Sequence, residues 1–219
     1  MRKVNRLGKP DSLIQNANLW TRELLIEIRN KGSYTSVRDS VKNRYRQDDV
    51  RISLKEMYKE KCCYCETGIG TTSFEQIEHL KPKANPHFHQ LAFEWSNLHW
   101  CCQRCNNAKL DKWNAKDPIL DPSIDNPNEF LEFDLFSCEA IPKNGSLRGD
   151  TTIQHTNLNR ELLLKSRERI RDQTLNIIGQ LKKTPSQMDE KFYRELITNL
   201  IKEDAEYTMF MNQLIKEYL

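Results

Sequence analysis

Two pairs of cysteines are the clearest chemistry in this 219-residue chain. Cys62-Cys63-Tyr64-Cys65 and Cys102-Gln103-Arg104-Cys105 each contain one C-x-x-C spacing, and only this register gives two-residue spacers in both. A C-x-x-C knuckle lets two thiolates converge on one tetrahedral ion, and two knuckles supply four sulfur ligands. The expectation is a structural Zn2+ held by Cys62, Cys65, Cys102 and Cys105, with no position left for substrate. Disulfides are the alternative, and they require an oxidising compartment that nothing in the sequence suggests. Cys63, Cys101 and Cys138 are then spare, small buried residues. The 36 residues between the knuckles are too many for a simple ribbon, so a folded unit is expected there.

That inserted stretch and the second knuckle after it carry polar residues in a telling order: Ile77-Glu78-His79-Leu80-Lys81-Pro82, then Trp95-Ser96-Asn97-Leu98, then Cys105-Asn106-Asn107-Ala108-Lys109. The pattern E-H-x-x-P, W-x-N-L, C-x-x-C-N-x-x-K resembles the HNH nuclease family with its ββα-metal core, densely so over residues 62–109. The resemblance implies phosphodiester hydrolysis. His79, with an ordinary imidazole pKa near 6.5, would take the proton of the attacking water. Glu78 and Asn106 offer hard oxygen donors suited to Mg2+ or Mn2+. Asn97 would hold the loop or the imidazole in its productive orientation. Asn106 stands where many relatives have His, which keeps oxygen ligation but weakens the case for Zn2+ or Ni2+ at that site. Arg104 and Lys109 are candidate phosphate contacts, and solvent exposure accounts for them equally well. His87 and His89 fall in a loop, whereas His99 lies near the second strand, beside the site. Trp95, Trp100 and Trp113 fit a small core around the zinc better than base stacking.

A looser similarity runs beyond the motif. Met1-Arg2-Lys3-Val4, Pro10, Leu13, Ile119-Leu120-Asp121-Pro122, Asn126-Pro127, Phe130, Gly145, Thr152-Ile153, Leu158-Asn159-Arg160, Leu162 and Arg167 resemble the PtuB-like subgroup of Septu-type and retron-associated anti-phage systems. This implies an ATPase partner of the ABC/SMC type (PtuA-like), and extends to a retron reverse transcriptase with its multicopy single-stranded DNA. The substrate class stays open between DNA and RNA, including transfer RNA, because attack by activated water needs no 2′-hydroxyl. A non-catalytic zinc module that binds nucleic acid or protein is the competing reading, and a scaffold subunit with a dead site is a weaker third. The intact set of Glu78, His79, Asn97 and Asn106 argues against both.

The elements that must position these residues can be read from periodicity. Trp20–Arg29 has helical spacing, with Trp20, Leu24, Leu25 and Ile28 on one face. A short helix over Arg51–Lys59 leads into the first knuckle. Thr72–Leu80 reads as extended, stopped at Lys81-Pro82-Lys83, and Leu91–Trp100 contains a second strand. The stretch after Cys102 suits a helix. Residues 117–150 hold four of the eight prolines and read as a connector with one short strand near Phe130–Phe136. A long amphipathic helix is expected over Asn157–Leu181, broken at Thr184-Pro185-Ser186. One or two more follow over Asp189–Leu219, with Phe192, Leu196, Leu200, Phe210, Leu214 and Tyr218 near helical spacing. Their apolar faces fit either packing on their own domain or docking to a partner. The class is therefore α+β, mainly helical: a basic helical N-terminal segment (1–60), a zinc-stapled ββα-metal (HNH) core (61–116), an acidic loop-rich connector (117–150) and a helical C-terminal region (151–219).

Composition sets the limits. Hydrophobic residues make up 37% and charged residues 30% of the chain, enough to bury a core and too apolar for simple disorder. No apolar run reaches membrane-spanning length, so no membrane partner is expected. The basic N-terminus lacks an apolar stretch behind it, which makes a secretory signal improbable and the cytoplasm the default compartment. The net charge of +3 is unevenly spread: +6 over residues 1–60, +2 over 61–116, −6 over 117–150 and +1 beyond. A basic N-terminal half could meet phosphates, yet charge alone favours a solvated helical surface.

Overall fold

The computed structural model describes residues 1–70, 74–184 and 186–219. It is mainly helical with two small sheets. The N-terminal segment supplies α1 (Asp11–Lys31), α2 (Asp39–Lys42) and α3 (Asp48–Met57). Helix α1 starts after Pro10 and stops at Gly32, whose positive φ of 76° lets its N–H return to the Ile28 carbonyl; this is the usual left-handed helix stop. Leu13, Ala17 and Leu24 are its buried stripe, while Trp20 and Ile28 pack against the core at its edge. Leu25 was expected on that face but points outward at 40% exposed. The helix is twice as long as expected, because Leu13 and Ala17 carry its buried stripe toward the N-terminus among polar neighbours such as Gln15, Asn16 and Asn18.

The central unit follows. Strand β1 (Glu75–His79) pairs antiparallel with β2 (Leu98–Cys102), setting Glu75 opposite Cys102, Glu78 opposite His99 and His79 opposite Leu98. Helix α4 (Gln103–Lys109) continues directly from β2 and packs on both strands. Every residue of β2 is buried. Thr72 and Ser73 of the expected extended stretch lie outside the described residues.

The acidic connector is better ordered than its prolines suggested. Strands β3 (Leu131–Phe133) and β4 (Ala140–Pro142) form a second antiparallel pair, and α5 (Leu147–Thr156) begins before the expected boundary at 150. Asn159 clamps β4, its amide accepting from the Ala140 N–H at 2.8 Å and donating to the Ala140 carbonyl at 2.9 Å. The chain ends in α6 (Glu161–Lys183), α7 (Gln187–Asn199) and α8 (Thr208–Tyr218). Pro185, in the expected break, lies outside the described residues. In α7 the packed residues are Ile197 and Tyr193, and Phe192 faces outward; Tyr218, at the end of α8, also faces outward.

One hydrophobic cluster runs from Met1 through Leu214 and takes in the knuckles, both strand pairs and α8. The C-terminal helices therefore fold back on the first knuckle. Buried Lys61 donates to the carbonyls of Glu203 (2.7 Å) and Ala205 (2.5 Å), and Glu66 accepts from the Met209 N–H at 3.1 Å. Among the described residues no helix is long and apolar enough to cross a membrane.

At Gly149 the backbone of α5 passes close against Phe130. A Cβ there would overlap the Phe130 carbonyl oxygen, a backbone atom with no freedom to retreat. Gly149→Ala is expected to destabilise the fold by about 1–3 kcal/mol, the usual cost of overpacking, read as a Tm lowered by roughly 2–4 °C per kcal/mol.

Candidate active site and thiol cluster

The four knuckle sulfurs come together. The Sγ atoms of Cys62, Cys65, Cys102 and Cys105 all lie within 4.8 Å of one another, and all four residues are buried. Cys65 and Cys102 Sγ are 3.8 Å apart, the edge of a tetrahedron with Zn–S bonds of about 2.3 Å. The donor set thus fits a structural metal ion such as zinc. Cys62, Cys63 and Cys101 form a second close group, but three sulfurs leave a tetrahedron incomplete. Burial pushes the Cys63 and Cys101 thiols well above their usual range, whereas hydrogen bonds from Cys101 and Cys105 hold Cys102 at about 4. Arg160 adds a cation to the cluster, Nη1 donating to Cys105 Sγ at 3.4 Å.

The other side of α4 faces a cavity of about 410 Å3 that Glu78, His79 and Asn106 line together. His79 is 5% exposed. Its Nε2 lies 2.9 Å from the Ala92 carbonyl oxygen. A carbonyl only accepts, so Nε2 carries the proton and Nδ1 keeps the lone pair in the neutral ring. Burial, with the Lys83 charge nearby, holds His79 well below the ordinary imidazole range. The ring also meets Tyr45 edge-on, centroids 4.6 Å apart.

Glu78 is 3% exposed and lies 2.6 Å from the Lys109 ammonium. Burial raises its carboxyl, and Lys109 opposes that rise. The contact is made by Oε1, so the buried carboxylate is charge-compensated by Lys109. The Glu78 carboxylate and the Asn106 amide are oxygen donors on one cavity, the ligand chemistry that suits a hard divalent cation.

Asn97 lies elsewhere. Its Oδ1 accepts from the Lys81 N–H at 2.8 Å, and its Nδ2 donates to the carbonyls of Lys81 (3.0 Å) and Leu91 (3.1 Å). It thereby pins both ends of the loop that follows His79, without lining the His79 cavity. His99 is fully buried between Tyr58, whose hydroxyl is 2.6 Å from Nδ1, and Arg6, 3.3 Å from Nε2. That network braces β2 from behind.

The two expected phosphate contacts part company. Arg104 is exposed beside Arg160 on the thiol side of the helix. Lys109 is 0% exposed, so the expectation of a surface phosphate contact there is corrected. Its Nζ sits against Glu78 and donates to the His79 carbonyl at 2.9 Å, one turn along α4 from Cys105 on the helix's inner face. Tyr45, Arg46 and Lys83 also line the cavity, and motif spacing gave no signal for them.

This is a mainly helical α+β protein whose ββα unit carries a buried four-cysteine cluster on one side and a His-Glu-Asn cavity on the other. No family model matches the chain. It is 31% identical over 200 residues to the Septu protein PtuB of Bacillus mycoides (strain KBAB4), covering 78% of this chain and 67% of that protein. It is 30% identical over 134 residues to the Septu protein PtuB of Bacillus thuringiensis, covering 60% of this chain and half of that protein. The chain belongs to the Septu PtuB family.

Two outcomes follow from this geometry. Cys65→Ser or Cys102→Ser should remove the bound zinc measured by elemental analysis of the purified chain, while Cys63→Ser should retain it; zinc lost equally from all three would refute the register. Lys109→Ala strands a buried carboxylate and should cost about 3–5 kcal/mol in chemical denaturation, and Lys109→Ala with Glu78→Gln should recover part of that loss.

Proposed function

We propose that the chain is a metal-dependent endonuclease acting as the nuclease component of an anti-phage defence complex. The observation that carries this reading is the shared cavity of Glu78, His79 and Asn106. His79 presents a neutral imidazole whose Nε2 proton is tied to the Ala92 carbonyl. Its Nδ1 is free to take a proton from water. The resulting hydroxide attacks phosphorus, the P–O3′ bond breaks, the leaving O3′ takes a proton from water, and the products are a 5′-phosphate and a 3′-hydroxyl. Glu78 and Asn106 would hold Mg2+ or Mn2+, which when bound supplies charge relief at phosphorus and at the leaving oxygen. Lys109 and Asn97 keep that geometry, the first by holding the His79 carbonyl and the Glu78 carboxylate, the second by pinning the loop behind them.

The substrate under this reading is DNA or RNA. Membership in the Septu PtuB family supports the defence role, a PtuA-like ABC/SMC ATPase partner and restraint of cutting by that partner. The resemblance to retron-associated relatives extends the proposal to a reverse transcriptase and its multicopy single-stranded DNA. A second reading, a non-catalytic zinc module, draws on the Lys109 ammonium already occupying the Glu78 carboxylate.

The two readings separate on His79→Ala. Loss of a positioned general base should lower Mg2+-dependent cleavage by about 10²–10⁴-fold with zinc content unchanged, measured at a temperature where the variant, whose Tm falls because His79 is buried, is still folded. Cleavage at the wild-type rate would remove His79 from the chemistry. Absence of any metal-dependent cutting by the wild-type chain with its PtuA-like partner would favour the binding module.

A further inference from the structure

We infer that Arg46 and Lys83, held together by Tyr45, form the phosphate-binding wall of the His79 cavity and grip the sugar–phosphate backbone of the nucleic acid next to the bond to be cut. The inference rests on the nuclease reading and adds to it Tyr45 and Arg46 from the N-terminal segment and Lys83 from the loop after β1.

Tyr45 is the hub. It is 1% exposed and lies in the turn between α2 and α3. The Lys83 ammonium, on the loop after β1, sits 4.1 Å over its ring and 2.5 Å from its hydroxyl. The Arg46 guanidinium lies 5.6 Å from the same ring, with Nε donating to the same hydroxyl at 3.3 Å. The same ring also meets His79 edge-on. A single aromatic side chain therefore fixes two cations relative to the candidate base.

Those two cations are treated differently from their neighbours. Arg38 pairs with Glu27, Lys42 with Asp39, Arg44 with Glu23, and Arg51 with Glu75. Arg46 and Lys83, which line the cavity, have no carboxylate within ion-pair distance among the described residues. Glu78 is committed to Lys109, and Asp111 is the one other acid on the cavity lining. A half-buried ammonium with only a phenol and a ring face as partners is poorly compensated, and an entering anion would stabilise it. A phosphodiester matches that need: singly charged, rich in acceptor oxygens, and bound by Lys as a point charge and by Arg through its fork of donors. Among the described lining residues Gln76 and Asn106 are the side-chain amides, whereas Arg46 and Lys83 would meet phosphate, which carries no base information. Binding through this wall is accordingly sequence-independent.

The test uses the zinc-loaded full chain carrying His79→Ala, so that substrate survives, and measures binding of a labelled oligonucleotide, as duplex DNA and as RNA, across a salt series in Mg2+. Each phosphate contact contributes about 0.9 to the slope of log K against log salt on duplex DNA. Adding Lys83→Gln or Arg46→Gln should make the slope shallower by about that amount each and the double variant by about twice as much, with zinc content unchanged. Inorganic phosphate at matched ionic strength should compete weakly and less so in the variants. Slopes identical to the His79→Ala parent would overturn the wall while leaving the nuclease reading intact. No salt-sensitive binding of either oligonucleotide by the parent would instead remove the nucleic-acid reading, and the wall with it.

Discussion

Convergence of four sulfurs from two places in the chain is the constraint on which the rest of this molecule depends. Cys62 and Cys65 precede β1, whereas Cys102 ends β2 and Cys105 lies in the first turn of α4. Closing that loop has an entropic cost that grows only slowly with its length, so the long insertion between the knuckles is tolerated. The two strands are short, and a lone two-stranded hairpin is marginal in water. A metal ion bound by four thiolates would provide on the order of 10–16 kcal/mol, as in small zinc domains, far more than five residue pairs of sheet can contribute. The C-terminal helices reinforce the same point, through Arg160 on Cys105 and through Lys61 and Glu66 around the first knuckle.

A second constraint is the buried ion pair. Full burial of a lysine is tolerable only when its charge and its donors are answered. Lys109 meets the Glu78 carboxylate and the His79 carbonyl, with the Leu110 carbonyl at 3.5 Å. Both partners belong to the end of β1 that carries the candidate chemistry. The charge pair thus does for the cavity side of α4 what the sulfurs do for the other side.

How much of this was legible in the sequence follows from how local each signal is. The knuckles, Glu78-His79, Asn97 and Asn106 announced themselves because their spacing is short and their chemistry narrow. Lys109 stood out as part of the pattern, but its buried pairing did not, because a lysine reads as solvent-exposed unless its partners are known, and Glu78 is 31 positions away. Tyr45, Arg46 and Lys83 share no spacing; only the fold brings them to one ring. Helix α5 was hidden by Thr151-Thr152-Ile153, a β-branched run of low helix propensity. Its hydroxyls settle the matter locally: Thr152 donates to the Arg148 carbonyl at 2.7 Å and accepts from the Leu120 N–H at 2.9 Å. Residues such as Asn159, Arg160 and Arg167 were noticed only as points of resemblance. In the structure they are fixtures, with Arg167 fully buried, stacked 4.9 Å over Phe133 and donating to the Cys138 carbonyl at 3.1 Å.

The geometry of α4 shows why the two sides of this unit belong together. The helix has only two turns, too short to persist by propensity alone. Cys105 and Lys109 lie one turn apart on its buried face, and Asn106 follows Cys105 toward the cavity. Rotating the helix to bring Cys105 to the other sulfurs therefore also sets where Asn106 and Lys109 stand. The strand end carrying Glu78 and His79 is fixed in turn by its pairing with β2, whose last residue is itself a knuckle cysteine. No residue of the cavity trio has to contact the sulfur cluster for its position to depend on it. A rigid helix and one strand register transmit the constraint, so an ion held by the four sulfurs would stand apart from the cavity while the cavity's geometry answers to it.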